Sequence, residues 1–521
     1  MGDRRMQRGR WRAAGLAQPS RRRVWLALVP CALAAVGALG AGLALAQDRP
    51  AVRTTAAAAS GWSRAWQIPG TETMSRQAEV VGEHSDAGSG ITSVDCPARA
   101  YCAISGGYVD PGFNFLVFAG SEHAGMWGRT AVLPGDAALV GKSGKASSYP
   151  LLSGEFLSQV SCSSPGNCAI AGNYQAKDLS QASAPLLGIE RGGGWEKVQP
   201  LSGASQALLT VSCPPAAGRC AAGGATAKGA FVIDEHGSAW ARYRAVAGAK
   251  WPVTAMSCPA AGTCLAAGGA DPAGGGTSAS TLPFIASESG GRWTAARPGP
   301  GLSKLIKDDS GIYSYIDSVS CAAAGDCTLI GGDRDRANHA RVFVASERGG
   351  RWSQATAIPG LQALGQGYRV IATQVSCGSA NLCAAGGFYQ PRGSKGAVQA
   401  WVATEIRGRW HAAEPVPGSI ALNTGGIAVT GSVSCSLTTC IAGGYYSSKG
   451  HQGVTSGFLA AERGGTWGDA AQVPGLARLN TGGYAQVNGV SCAPHGYCAA
   501  IGEYTSGSNL EDRMFETTRS G

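Results

Sequence analysis

Few side chains in this sequence can do acid–base, nucleophilic or metal chemistry, and most of them recur at fixed intervals. The seven histidines, His84, His123, His236, His339, His411, His451 and His495, are scattered and form no metal or triad spacing. Seventeen cysteines fall into eight local pairs plus Cys31. The pairs are Cys96/Cys102, Cys162/Cys168, Cys213/Cys220, Cys258/Cys264, Cys321/Cys327, Cys377/Cys383, Cys435/Cys440 and Cys492/Cys498. Their spacing is longer than that of a Cys-x2-Cys metal site, and no pair has a companion histidine. Disulfides are therefore expected, with metal binding as the alternative. Asp308 and Asp309 in one segment and Glu155 in another could pair as acid and base, but solvated loop carboxylates are far commoner. The residues name no catalytic group, cofactor or metal ligand.

The pairs belong to a larger repeat. A glycine follows each second cysteine by four positions, as at Gly387 and Gly444. Eight tryptophans, Trp62, Trp127, Trp195, Trp240, Trp293, Trp352, Trp410 and Trp467, each lead to a glycine eight positions on. Seven of them follow a glutamate by five: Glu122, Glu190, Glu235, Glu288, Glu347, Glu405 and Glu462. Each unit reads as four short strands. One ends at the first cysteine, one starts at the second, one is apolar (Arg341–Ala345), and one carries the tryptophan. No helical period is sustained after residue 61.

A repeated four-stranded unit of about 45 to 65 residues is a β-propeller blade. The fold class expected is all-β, an eight-bladed propeller, with seven blades the alternative if the short unit near Cys213 is incomplete. The last unit stops after its third strand, whereas residues 61–70 hold a tryptophan strand with no cysteine pair before it. The N-terminal strand is therefore expected to complete the last blade and close the ring. The tryptophans and glutamates suit a scaffold. The former would cover gaps between blades and the latter accept backbone N–H groups in turns. The repeated glycine marks a strand bulge or a close backbone approach.

Residues 1–23 carry eight arginines and one acid, and residues 24–46 carry no charge. The uncharged run is long enough to be a transmembrane anchor with a cytoplasmic N-terminus. It also ends, at Ala44-Leu45-Ala46, like a cleaved signal peptide. Ser20–Leu26 resembles a twin-arginine signal. Both fates place the repeats extracellularly or on the outer face of the cytoplasmic membrane. A linker at 47–60 would join this segment to a propeller at 61–521. Eight of the 43 Lys and Arg residues, but only one of the 33 acids, lie in the first 46 positions. The balance near +3 left for the propeller gives no case for nucleic acid. Membrane contact is expected only through residues 24–46, if that segment is not cleaved, and the chain is expected to be a monomer.

Segments such as Ser346-Glu347-Arg348-Gly349-Gly350-Arg351-Trp352 and Glu462-Arg463-Gly464-Gly465-Thr466-Trp467 resemble a degenerate Asp-box, the Ser-x-Asp-x-Gly-x-x-Trp turn of sialidase-like (BNR) propellers. Glutamate stands for aspartate in the clear copies. The Ser-Cys-x5-Cys signature resembles exported β-propellers of actinobacteria. The resemblance covers residues 61–521 and implies a fold rather than an activity. It implies a sialidase-like arginine cluster and tyrosine–acid pair only if the chain is an enzyme.

The strand order sorts the loops onto two faces. Cysteine hairpins and acidic turns, nearly uniform in length, share one face. The connections between blades and between second and third strands, which vary, share the other (compare 135–161 with 248–257). Ligands bind through variable loops on rigid scaffolds. The candidates there are Tyr149, Tyr313, Tyr315, Tyr368, Arg369 and Tyr484, with the related Asn423-Thr424-Gly425-Gly426 and Asn480-Thr481-Gly482-Gly483. The expected function is a binding scaffold for a protein or glycan. The alternative is a sialidase-like hydrolase or a lyase, which requires two carboxylates, or a tyrosine and an acid, close together on that face.

Overall fold

The segment before each first cysteine alternates small polar with apolar residues and forms a strand. Eight of these strands pack beside one another around a central axis, the last against the first. The computed structural model describes residues 61–521 apart from 75–88, 111–113, 140–157, 175–183, 202–207, 217–218, 227, 238, 270–281, 308–312, 335–338, 366–368, 395, 449–453, 508–510 and 521. The cytoplasmic, apolar and linker segments expected at 1–60 lie outside the described residues. Among the described residues no helix is long and apolar enough to cross a membrane.

There are eight blades of antiparallel strands. In the sixth, Val370–Ser379 is innermost, followed outward by Leu382–Tyr389, Gln399–Ile406, and a fourth strand in two pieces, Arg409–Trp410 and Glu414–Pro415. The short unit at Cys213 is a complete blade: Leu208–Ser212, Ala221–Thr226, Gly229–His236 and Ala239–Trp240. The seven-bladed alternative is thereby excluded. In the eighth blade the outer strand comes from the N-terminal segment. Trp66 and Gln67 pair with Glu516 and Phe515, and Trp62 bridges to Arg519.

All eight cysteine pairs are disulfides, each across its own hairpin. They are Cys96–Cys102, Cys162–Cys168, Cys213–Cys220, Cys258–Cys264, Cys321–Cys327, Cys377–Cys383, Cys435–Cys440 and Cys492–Cys498. These sulfurs are spent on the scaffold, which removes the metal-binding alternative for them. Loops this short remove little entropy from the unfolded chain, about 2 kcal/mol per bridge.

The cysteines do not mark the strand ends as the sequence suggested. The second strand starts at its cysteine only at Cys498, in blade 8. It starts one residue before Cys102, Cys168, Cys264, Cys327, Cys383 and Cys440, and one residue after Cys220. Every bridge holds its two Cα atoms 3.9–4.1 Å apart. In blades 1, 2, 4, 5 and 6 the strands stay paired beyond the bridge, as Ala98 with Tyr101 and Ser379 with Leu382.

The serine of the Ser-Cys signature links neighbouring blades. Its Oγ accepts the N–H of the next blade's first cysteine: Ser161 from Cys213, Ser212 from Cys258, Ser257 from Cys321, Ser320 from Cys377, Ser376 from Cys435 and Ser434 from Cys492, at 2.9–3.0 Å. Ser491 accepts from Cys96 across the closure at 2.9 Å. Blade 1 has Asp95 in this place, whose Oδ2 accepts the Cys162 N–H at 2.7 Å. The hydrogen bonds therefore run unbroken around the axis.

Both readings of the repeated glycine hold at once. The innermost strand of blade 6 bulges between Ala372 and Gln374, and a Cβ on Gly387 would lie 2.0 Å from the Ile371 carbonyl oxygen. The indole of Trp401, Gly387's partner on the third strand, closes the other side. The turns into the fourth strand need left-handed backbone at two successive residues, which Gly349 (φ 56°) and Gly350 (φ 76°) supply.

Candidate functional site

Antiparallel pairing places the disulfide hairpins and acidic turns at one end of every blade and the variable connections at the other. At the variable end, the starts of the innermost strands and the ends of the second strands surround the axis. On blades 5 to 8 this rim is aromatic and polar.

In blade 5, Tyr315 pairs with Gly332, which leaves room for the phenol: a Cβ there would meet the Tyr315 hydroxyl at 2.7 Å. In blade 6 the Arg369 guanidinium lies over the Phe388 ring, 5.5 Å from its centroid, a cation–π contact that fixes both planar groups. In blade 7, Tyr445 takes the position equivalent to Phe388, and burial pushes its hydroxyl pKa up. In blade 8, Glu503 takes that position. Its Oε1 accepts from Gln486 Nε2 at 2.6 Å and from the Tyr484 hydroxyl at 3.5 Å. These side chains are all half-buried, so each keeps an exposed surface.

Of the sequence candidates, Tyr315, Arg369 and Tyr484 come to this rim. Tyr149 and Tyr368 lie outside the described residues, as do Asp308, Asp309 and Glu155. Tyr313 is described only as backbone, at the start of the innermost strand of blade 5. The sixteen paired cysteines lie at the opposite end of the blades and take no part in the rim. Phe388, Tyr445, Gln486 and Glu503 were not singled out from sequence. The signal that marks them is their place: second-strand positions five after the second cysteine, and the residue paired opposite. The related Asn-Thr-Gly-Gly loops have a structural task. Asn423 Nδ2 donates to the Val398 carbonyl and to Gln399 Oε1, its Oδ1 accepts the Gly426 N–H, and Asn480 Nδ2 donates to the Thr455 carbonyl.

Below the rim the axis is lined by small polar groups. Bulge residues of the innermost strands donate to carbonyls of the next blade: Thr92 to Ser158, Thr254 to Ile316, Thr373 to Thr430 and Asn488 to Ile91. Blade 5 carries Asp317 here, and burial holds its carboxyl well above the usual carboxylate range. A protonated Asp317 has the donor that its counterparts use. At Asp95 burial likewise dominates and pushes the pKa to about 6, against the hydrogen bonds from Cys162 N–H, Ser161 and Ser491.

The turn glutamates differ from expectation. Only some accept backbone N–H groups, as Glu462 does from Gly465 at 2.5 Å and Glu235 from Cys220 at 3.1 Å. Several instead clip onto the preceding blade. Glu190 accepts from the Tyr101 and Ser121 hydroxyls at 2.5 and 2.6 Å, Glu122 from Tyr497 at 3.0 Å, and Glu405 from Arg348 at 2.7 Å. The tryptophans cover the gaps between blades as expected: Trp467 Nε1 donates to Thr404 of the preceding blade at 2.9 Å, and Trp195 Nε1 to Ser121 at 3.3 Å. At the closure Trp127 donates to Glu516. Glu516 and Glu122 are both buried, with oxygens within 4.8 Å of each other. Burial, then the neighbouring Glu122 carboxylate, pushes Glu516 up to about 8. Cys102 is also close, but its sulfur is committed to a disulfide, so the group is no metal site.

No protein-family model and no curated protein matches this chain. Among solved structures it is similar to the Dos1 propeller, at 7% identity over 88% of this chain and 94% of that one, with a TM-score of 0.44. It is also similar to a polysaccharide lyase, the PL25 ulvan lyase (9% identity, 80% and 94% covered, TM-score 0.40), and to Trypanosoma rangeli sialidase (10%, 69% and 53%, TM-score 0.34). The likeness is one of fold.

Proposed function

We propose that this protein is an exported propeller, secreted or tethered outside the cytoplasmic membrane, that binds a glycan or protein through the rim of blades 5 to 8. Eight disulfides suit an oxidising, extracellular compartment. The observation that carries the binding role is the rim: aromatic rings on three adjacent blades and at Tyr484 on the fourth, with Arg369, Gln486 and Glu503 among them. Rings of this kind offer rigid contact area at low entropic cost, and the planar polar groups give directional hydrogen bonds.

One observation favours the second reading, a carbohydrate-active enzyme. Tyr484 and Glu503 form a tyrosine–acid pair on the variable face, the arrangement which that reading requires. The experiment that separates the two is a glycan-array screen run beside an assay for chromophore release from aryl glycosides. Binding lost in Arg369→Ala and Tyr484→Phe, without turnover, supports the scaffold. Turnover lost in Glu503→Gln supports the enzyme. Silence in both assays sinks the carbohydrate reading and leaves a protein partner.

A further inference from the structure

The face bearing the disulfides and acidic turns carries its charges unequally. In blades 4 to 7 the turn acids are withdrawn. Glu288, Glu405 and Glu462 are buried and Glu347 is half-buried. Burial raises the pKa of all four, Glu288 to about 7. The same four turns carry Arg292, Arg351, Arg407, Arg409 and Arg463, all exposed. Among the described residues none of these five has an ion-pair partner. Asp326, on the same face, is half-buried and occupied with the Gly349 N–H at 3.0 Å. Two exposed acids lie close by in sequence, and both sit past the turn: Glu414 on the second outer-strand piece of blade 6, and Asp469 between the two outer-strand pieces of blade 7. The result is an arc of guanidinium groups without ion-pair partners at one end of four adjacent blades, with the turn glutamates withdrawn.

We propose that this arc docks the propeller on anionic phospholipid headgroups. Guanidinium forks match phosphate geometry, and four adjacent blades hold five of them on one face. The path of the chain singles out a membrane among polyanions. The propeller begins at Gly61–Trp62, where Trp62 bridges Arg519 and Ser63 N–H donates to the Thr518 carbonyl at 2.7 Å. That is the turn end of blade 8, and Arg519 lies near enough to Arg463 for the two cations to repel, so that the Arg519 pKa falls through burial and then this repulsion. The chain therefore enters on the arginine face, beside the arc. Upstream lie residues 47–60 and then the uncharged run 24–46. A linker of this length reaches about 50 Å when extended and about 20 Å when relaxed. The orientation rests on the exported, tethered reading above, whereas the charge match does not. The sequence suggested membrane contact through residues 24–46 alone, and the arc adds a second, electrostatic contact that would turn the ligand rim outward.

Every strand of the closed ring lies within 61–521, so a chain beginning at Gln47 keeps the whole propeller and removes the apolar run from the test. Its cosedimentation is measured with vesicles of phosphatidylcholine alone and of phosphatidylcholine mixed with phosphatidylglycerol, at low and high salt. Binding only to the mixed vesicles, released by salt, is the expected result. The triple variant Arg351→Glu, Arg407→Glu, Arg409→Glu should bind on the order of a hundredfold more weakly, at roughly fivefold per arginine. A control with Lys304→Glu and Arg392→Glu, exposed on the opposite face, should bind like the wild type. The absence of phosphatidylglycerol-dependent binding overturns the proposal. So does an equal loss in both variants, or tighter binding to soluble polyglutamate than to the vesicles. The wild-type lipid dependence decides the matter even where the triple variant fails to fold. None of these outcomes depends on whether the rim takes a glycan.

Discussion

The two ends of each blade are made from the same strands, yet they obey different constraints. At the turn end the geometry recurs: a disulfide, a serine-to-cysteine hydrogen bond, left-handed turn residues and, in seven blades, a withdrawn acid. Departures there are single substitutions with local answers, such as Asp95 for serine or Arg519 for glutamate. At the rim, equivalent positions hold Gly332, Phe388, Tyr445 and Glu503 in successive blades. The scaffold needs each turn-end residue in every blade because neighbouring blades bond through it. The rim positions bond mainly within their own blade, so they are free to differ, and a ligand can use the difference.

The sharpest way to break the contrast is at the floor of a blade. Gly387→Ala would drive a Cβ against the Ile371 carbonyl, and we expect a loss of about 3 kcal/mol or more, seen as a lowered denaturant midpoint. Next comes the clip between blades 5 and 6. Glu405→Ala leaves the Arg348 guanidinium without its carboxylate and the Ser346 hydroxyl without an acceptor. Removing one partner of such a network should cost about 2 kcal/mol by chemical denaturation.

The closure responds to pH. Glu516 binds its proton more tightly folded than unfolded, so its stabilising contribution is full below the ordinary glutamate pKa and is lost as pH rises towards about 8. Asp95, with its pKa raised to about 6, acts in the same direction at lower pH. Thermal stability should therefore decline from mildly acidic to mildly alkaline buffer, and Glu516→Gln should flatten the upper part of that decline. A wild-type curve that instead rises with pH over this range would refute the assignment. The smallest effect on stability belongs to the rim. Tyr484→Phe and Arg369→Ala should shift the melting curve by no more than about 0.5 kcal/mol equivalent while changing ligand capture.

The blades and their disulfides were legible in the sequence because each is enforced eight times, and the closure because the last unit lacks the tryptophan strand that residues 61–70 supply. The glutamates were legible as structural, but not their partners. Whether Glu405 meets a turn N–H or the preceding blade's Arg348 depends on the gap between blades, which no local spacing records. The rim was half legible. Tyr315, Arg369 and Tyr484 stand out as aromatic or charged residues in variable segments, whereas Phe388 and Tyr445 read as ordinary strand residues. Their exposure follows from the strand ending at the axis.

Closure by the N-terminal strand also fixes an order in time. Trp62–Gln67 is among the first parts of the propeller to be synthesised, and its partner Glu511–Arg519 is the last. Until the final blade emerges, the opening strand has nothing to pair with and seven blades form an arc with two raw edges. The propeller is thus a clasp that fastens only when its last blade has been made. A product truncated within Glu511–Arg519 would remain open and visible to proteolysis.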